Sequence, residues 1–174
     1  TTTAVNLTSP TTDVTFAWTV SVPTGITGVT TLTGTDNIPA ETLINSTTAP
    51  LDVVYTAIAT GDVGFDCEGL PTDYTVTVNP EAQVNPVDDQ VVCNDENLTI
   101  EFSTIVTGGT TTFSWTNDNT AIGLDATGTG NIDITAINTT DQPLTANIVV
   151  TPSFENDGET NTGDPITFTI TVNP

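Results

Sequence analysis

Apolar and polar residues alternate along much of this 174-residue chain. Val14, Phe16, Trp18, Val20 and Val22 are each separated by one residue, mostly small or polar. Leu98, Ile100 and Phe102 repeat the pattern, as do Leu144, Ala146, Ile148 and Val150, and then Ile166, Phe168, Ile170 and Val172. A period of two puts every second side chain on one face, so these segments predict strands with one buried face. Between them lie Thr107-Gly108-Gly109-Thr110, Thr127-Gly128-Thr129-Gly130 and Asn156-Asp157-Gly158, all turn chemistry. Roughly six or seven short strands in about 90 residues predict an immunoglobulin-like β-sandwich, with Trp18 and Trp115 as central core residues. The competing reading of the two tryptophans is an exposed platform for stacking sugars.

The pattern occurs twice. Val14-Thr15-Phe16-Ala17-Trp18 matches Thr111-Thr112-Phe113-Ser114-Trp115, and Thr33-Gly34-Thr35-Asp36-Asn37-Ile38 matches Thr127-Gly128-Thr129-Gly130-Asn131-Ile132. Tyr74-Thr75-Val76-Thr77-Val78-Asn79-Pro80 matches Phe168-Thr169-Ile170-Thr171-Val172-Asn173-Pro174. The offset is 97 at the tryptophans (115 − 18) and 94 further on (127 − 33), so the loop between Trp18 and Thr33 is about three residues longer in the first copy. The fold class expected is all-β, two tandem immunoglobulin-like sandwiches, with domains at residues 1–80 and 81–174. Residues Glu81 to Glu96 have no counterpart in the first copy, which is therefore expected to lack its N-terminal strand. Both ends of the chain read as cuts in a longer array.

Composition narrows the function. About a quarter of the residues are threonine, methionine is absent, and apolar residues make up 36%. Thr, Val and Ile are β-branched strand formers, which supports the all-β reading. There is no Lys, Arg or His, and 22 acidic residues give a net charge of -22. Nucleic-acid binding requires basic residues to neutralise phosphates. A phosphate-binding P-loop requires its lysine, and a serine or cysteine triad requires its histidine. Schiff bases, lysine cross-links and His-containing metal sites are excluded in the same way. Anionic membrane surfaces repel such a chain, and no apolar run reaches the roughly 18 residues of a membrane helix. No catalytic residue, cofactor or metal ligand set is expected, so the chain is read as not an enzyme.

The second copy, with Val92-Cys93-Asn94-Asp95, Phe113-Ser114-Trp115-Thr116-Asn117-Asp118-Asn119, Ile122-Gly123-Leu124, Thr127 to Ile132 and Pro165 to Pro174, resembles a known repeat family. These are the PKD-like, immunoglobulin-like tandem repeats of giant Bacteroidetes surface proteins, including the SprB-type gliding-motility adhesins. The resemblance covers nearly all of 81–174 and, more loosely, 1–80. It implies export by the type IX secretion system, an extracellular cell-surface location and tens of repeats per chain. It also implies two cysteines per repeat, one in the Val-Cys-Asn segment and one in the loop before the last strand. Cys67 takes the late position in copy one, and the early partner would precede Thr1. Cys93 takes the early position in copy two, where Asn161 stands at the late one. Three states stay open: a free buried Cys93 thiol, a Cys67–Cys93 bridge across the junction, and an intermolecular bond.

The acids cluster in loops: Asp62, Asp66 and Glu68; Asp88, Asp89, Asp95 and Glu96; Glu155, Asp157, Glu159 and Asp164. Calcium needs six to eight converging oxygens. If the two family cysteine positions meet in space, Asp95 and Glu96 should approach the Glu159–Asp164 loop, and calcium could replace the lost cross-link. Solvated turns are the competing reading. A carboxylate pair for glycoside hydrolysis would need a cleft that a domain of about 90 residues has little room to build. Asn6, Asn45, Asn97 and Asn138 begin Asn-x-Ser/Thr triplets, which a bacterial source would leave unglycosylated. Thr167, Thr169 and Thr171 should face solvent as an uncharged strand face.

The expected function is a structural and adhesive module of a long secreted surface filament, serving attachment or gliding motility. Its expected partners are neighbouring repeats of the same chain and extracellular polysaccharide or surfaces. The alternative is a calcium- or polysaccharide-binding accessory module of a large secreted protein. The missing basic residues fit exposure outside the cell, since trypsin-like proteases find no cleavage site. Uniform negative charge should also keep neighbouring repeats apart, more so at low salt.

Overall fold

The computed structural model describes residues 2–61 and 67–174. The chain forms two compact units, Thr1–Pro80 and Glu81–Pro174, each all-β and immunoglobulin-like. Unit 1 contains β1 (Thr2–Val5), β2 (Val14–Ser21), β3 (Ile26–Thr27), β4 (Thr33–Thr35), β5 (Ile38–Thr42), β6 (Ile44–Asn45), β7 (Leu51–Gly61), β8 (Cys67–Glu68) and β9 (Thr72–Val78). Unit 2 contains β10 (Gln90–Cys93), β11 (Asn97–Ile100), β12 (Thr110–Asn117), β13 (Thr127–Thr129), β14 (Ile132–Thr135), β15 (Leu144–Asn156), β16 (Glu159–Thr162) and β17 (Ile166–Asn173), with a 3-10 turn at Thr120–Ile122. The strand number exceeds the six or seven expected per copy because several ladders are only two or three residues long.

The main sheet of unit 1 runs β4-β2-β7, with β8 and β9 sharing the far edge of β7. Opposite it lies the pair β1-β5. Unit 2 repeats the scheme as β13-β12-β15, with β16 and β17 on the far edge of β15 and β11-β14 opposite. One strand has no equivalent among the described residues of unit 1. It is β10, which adds to the outer edge of β17 in parallel. Among the described residues every other pairing is antiparallel.

The alternation sets which faces are buried. Trp18 and Trp115 are core residues, 4% and 7% exposed. Each stands opposite a glycine on the neighbouring strand, Trp18 facing Gly34 and Trp115 facing Gly128. The indole lies so close over that glycine that any Cβ there would overlap the ring. This explains why Thr-Gly-Thr recurs in both copies: the tryptophan needs a bare backbone beside it. Burial also settles the platform reading of the tryptophans in favour of the core. Of the threonines expected at the surface, Thr167 is exposed while Thr169 and Thr171 are half-buried.

The three-residue difference in the loop after the tryptophan has a local cause. In unit 2, Asn117 is 6% exposed and its Nδ2 donates to the carbonyls of Leu124 (2.9 Å), Asn119 (3.2 Å) and Asp125 (3.3 Å), folding a tight loop around the 3-10 turn. Unit 1 has Val20 at the matching position and uses the β3-β6 ladder instead.

Candidate functional site

A second buried asparagine ties each sandwich together. Asn45 donates from Nδ2 to the carbonyls of Ala49 and Val78, both at 2.8 Å. Asn138 does the same to Gln142 and Val172, both at 2.8 Å. Their Oδ1 atoms accept from Thr47 and Thr140, through both N–H and hydroxyl. Two of the Asn-x-Thr triplets are thus fasteners of the last strand, 6% and 4% exposed, with their amides already committed. Composition hid this role; the signal was that both triplets fall at the same place in the two copies.

The path of the chain through unit 2 is the feature with mechanical consequences. Ala82 is 1% exposed and packs with Val106 and Phe154. Its carbonyl lies against Gly163, where a Cβ would overlap it. Asn85 then bonds Ser103, N–H to carbonyl at 2.8 Å and Nδ2 to Oγ at 2.9 Å. Val84 and Val87 join the core, and β10 follows, with Gln90 beside Ile170 and Cys93 beside Asn173. The Asp89 carboxylate accepts from the Thr169 N–H at 2.7 Å just before the ladder, and the Asn94 N–H donates to the Asn173 carbonyl at 2.9 Å just after it. The chain therefore enters at the Phe154 end of the sheet and leaves at the Leu144 end, where Val172 pairs with Leu144. Its first and last strands run parallel, side by side.

This geometry corrects the expectation about the cysteines and acids. Cys93 lies beside Asn173, whereas Asn161 pairs with Phe154. Ten residue steps of β15 separate Leu144 from Phe154, on the order of 30 Å of extended strand. The two family positions sit at opposite ends of the sandwich, so Asp95 and Glu96 do not approach the Glu159–Asp164 loop. Cys93 is exposed, not buried. Cys67 is exposed too.

The acids are largely occupied in turns. Asp13, Asp36, Asp95 and Asp157 hold left-handed backbone at φ 55°, 62°, 63° and 51°, a conformation aspartate tolerates better than most side chains. Glu96 accepts from the Cys93 N–H at 3.0 Å and Glu155 from the Gly158 N–H at 2.9 Å. Among the described residues no three His, Cys, Asp or Glu side chains are grouped to hold a metal ion. Asp62 and Asp66 lie outside the described residues.

One acid was missed by the sequence reading. Glu41 is 4% exposed and sits inside unit 1. Burial alone would raise its pKa, but the Thr30 N–H (2.6 Å), the Tyr55 hydroxyl (2.8 Å) and the Thr30 hydroxyl (2.8 Å) all donate to it and hold it below the usual carboxylate value. Ile148 stands where Tyr55 does and Ile134 where Glu41 does, since Leu98 faces Ile134 as Thr3 faces Glu41, so unit 2 has no such network. Asp118 is also held low, first by the Asn147 side chain and then by its N–H, both at 2.7 Å.

The PKD-like domain family matches residues 1–82. No curated protein matches the chain significantly. Among the described residues no helix is long and apolar enough to cross a membrane.

Proposed function

We propose that residues 1–82, which match the PKD-like domain family, share its general role as an extracellular structural or adhesive module. From that premise we propose that the chain is a piece of a long secreted cell-surface filament or adhesin, in which each sandwich is one link. On this reading it performs no catalysis; it spaces a binding tip from the cell and carries tension during attachment or gliding. Type IX export and a Bacteroidetes source belong to the same proposal.

The observation that carries the reading is the path through unit 2. A link in a tandem chain must receive force at one end and pass it on at the other. Here the chain enters at the Phe154 end and leaves at the Leu144 end, so tension runs along the strands. Pulling drags β10 towards the Phe154 end and β17 the other way. Their ladder, flanked by the Asp89 and Asn94 bonds, is then loaded in shear, with all its hydrogen bonds sharing the load at once. An active site gains nothing from such an arrangement, and repetition favours spacing and multivalency over catalysis.

The test is made on intact cells of the source organism. An antibody against residues 81–174 should label unpermeabilised cells on thin filaments in electron micrographs, and cells lacking the gene should lose surface attachment. Labelling only after permeabilisation, or unchanged attachment together with loss of a secreted enzymatic activity, would overturn the proposal.

A further inference from the structure

The edge strand β13 of unit 2 ends at Thr129, and the Gly130 N–H closes its pairing by donating to the Phe113 carbonyl at 2.9 Å. Backbone bonds along an antiparallel strand alternate sides, so Thr111, two residues back on β12, turns its N–H and carbonyl to that same side. Among the described residues no strand pairs with β12 there. A groove of about 570 Å³ opens at this place, lined by residues 111–114, Thr129, Gly130 and Ser153. Small-ligand sites commonly measure roughly 300–1,000 Å³.

The lining is hydroxyl-rich and uncharged. On a chain of net charge -22 it holds no carboxylate, and with no Lys, Arg or His anywhere it offers an anion no counter-charge either. The Thr111 hydroxyl is buried and has no hydrogen-bond partner. A buried hydroxyl left unpaired costs stability, and a ligand that bonds it removes that cost. Thr112 and Ser114 donate to the carbonyls of Ser153 and Thr151 at 3.4 Å, long enough for both hydroxyls to turn to a better partner. Phe113, half-buried, adds an apolar wall. Unit 1 differs at these positions. Ala17 faces Thr35 as Ser114 faces Thr129, and the Asp36 N–H bonds the Phe16 carbonyl at 3.0 Å as Gly130 bonds Phe113. Val14 therefore stands where Thr111 does, Ala17 where Ser114 does, and Asp36 where Gly130 does. Unit 1 has lost two of the hydroxyls and gained a carboxylate at the rim.

We propose that this groove of unit 2 binds an uncharged sugar residue of a polysaccharide. Sugar hydroxyls pair with Thr111, Ser114 and Thr129 and with the open backbone of β12, while the C–H face of the ring lies against Phe113. Neutrality selects the ligand class: a uronate or sulfated sugar is repelled by the chain, and an amino sugar finds no acid in the lining. The site deepens the adhesive reading by giving a link something to hold, and it rests on that reading for the polymer's place outside the cell.

The test titrates the purified 174-residue chain with six-residue oligomers of glucose, mannose and galactose, and with oligoglucuronate as the charged control, following backbone amides by NMR. It needs no cells, so its failure is separate from failure of the filament role. At least one neutral oligomer should shift the amides of residues 111–114, Thr129 and Gly130 saturably, leaving Val14, Ala17 and Asp36 unmoved. T111V, S114A and G130D, which write unit 1's residues into unit 2, should each weaken binding at least tenfold. G130D keeps the fold, because Gly130 has φ 71° with open space for a Cβ and Asp36 already holds φ 62° at the matching place. T111V should leave the melting temperature of unit 2 unchanged or higher, since it removes an unpaired buried hydroxyl. The proposal is overturned by no saturable shift with any neutral oligomer, by equal shifts in unit 1, by oligoglucuronate binding as tightly, or by binding that survives all three variants.

Discussion

The two units share a tryptophan over a bare glycine, an asparagine fastening the last strand and the same order in the main sheet, yet among the described residues unit 2 alone has a further strand beside its last one. Among the described residues, unit 2's main core joins 16 buried apolar side chains and unit 1's joins 8. Part of the difference traces to one segment. Residues 82–93 add Val84, Val87 and Val92 to the core of unit 2 and supply the strand that pairs with β17. Tension applied to unit 1 finds a different geometry. Thr2 pairs with Thr42, and Asn45 bonds the Val78 carbonyl, so the described start of unit 1 and the end of β9 lie at the same end of the sandwich. Pulling there peels ladders apart one bond at a time. Among the described residues of unit 1 no strand stands beside β9 as β10 stands beside β17, so none supplies the shear geometry there.

The largest effect should come from removing the difference itself. Deleting residues 81–93 ahead of unit 2 strips two buried valines, Val84 and Val92, each worth about 1.5–3 kcal/mol when fully buried, together with the half-buried Val87 and the β10 ladder. Unit 2's thermal transition should then fall to or below that of unit 1, read by calorimetry on the two-unit chain. Next come the features the units share. N45A and N138A each remove an amide that satisfies two buried carbonyls, and each should cost about 2–3 kcal/mol in its own unit only. Unequal losses would mean that the fasteners are not equivalent.

A smaller effect separates the units by pH. Glu41 is held below its ordinary value of 4.5, so its contribution is fully present above pH 4.5 and disappears as pH falls through the lower folded value. E41Q should cost unit 1 about 1–2 kcal/mol at pH 7 and nearly nothing at the acid end of that window, while leaving unit 2 unmoved. Urea denaturation followed separately for the two units at pH 7 and pH 3 checks the sign. A cost that grows as pH falls would contradict the hydrogen-bonded carboxylate.

Much of the fold was legible because period-two alternation is the direct imprint of a half-buried strand. Val14–Val22, Leu144–Val150 and Ile166–Val172 formed strands where the pattern placed them, and Trp18 and Trp115 took the core. The repeat was readable for a physical reason as well, since the glycine under each indole cannot vary freely. Other features were hidden. Glu41 is one acid among 22, and nothing local marks it as buried; only Tyr55 and Thr30, brought to it by the fold, make that position tenable. The expected convergence of Cys93 with the Asn161 position failed because the spacing of two loops does not tell which end of a sheet each occupies. β10 was foreseen as an extra segment, but its parallel pairing with β17, on which the functional proposal rests, carries no sequence signal.

The central claim is that the parallel β10-β17 ladder makes a sandwich of this type a link that resists tension. It is tested most directly by stretching single 174-residue chains between Thr1 and Pro174. Two unfolding events should appear, with unit 2 yielding at clearly higher force. V92P, which breaks the ladder, should bring the two forces together. Equal forces in the native chain, or a unit 2 force untouched by V92P, would contradict the account.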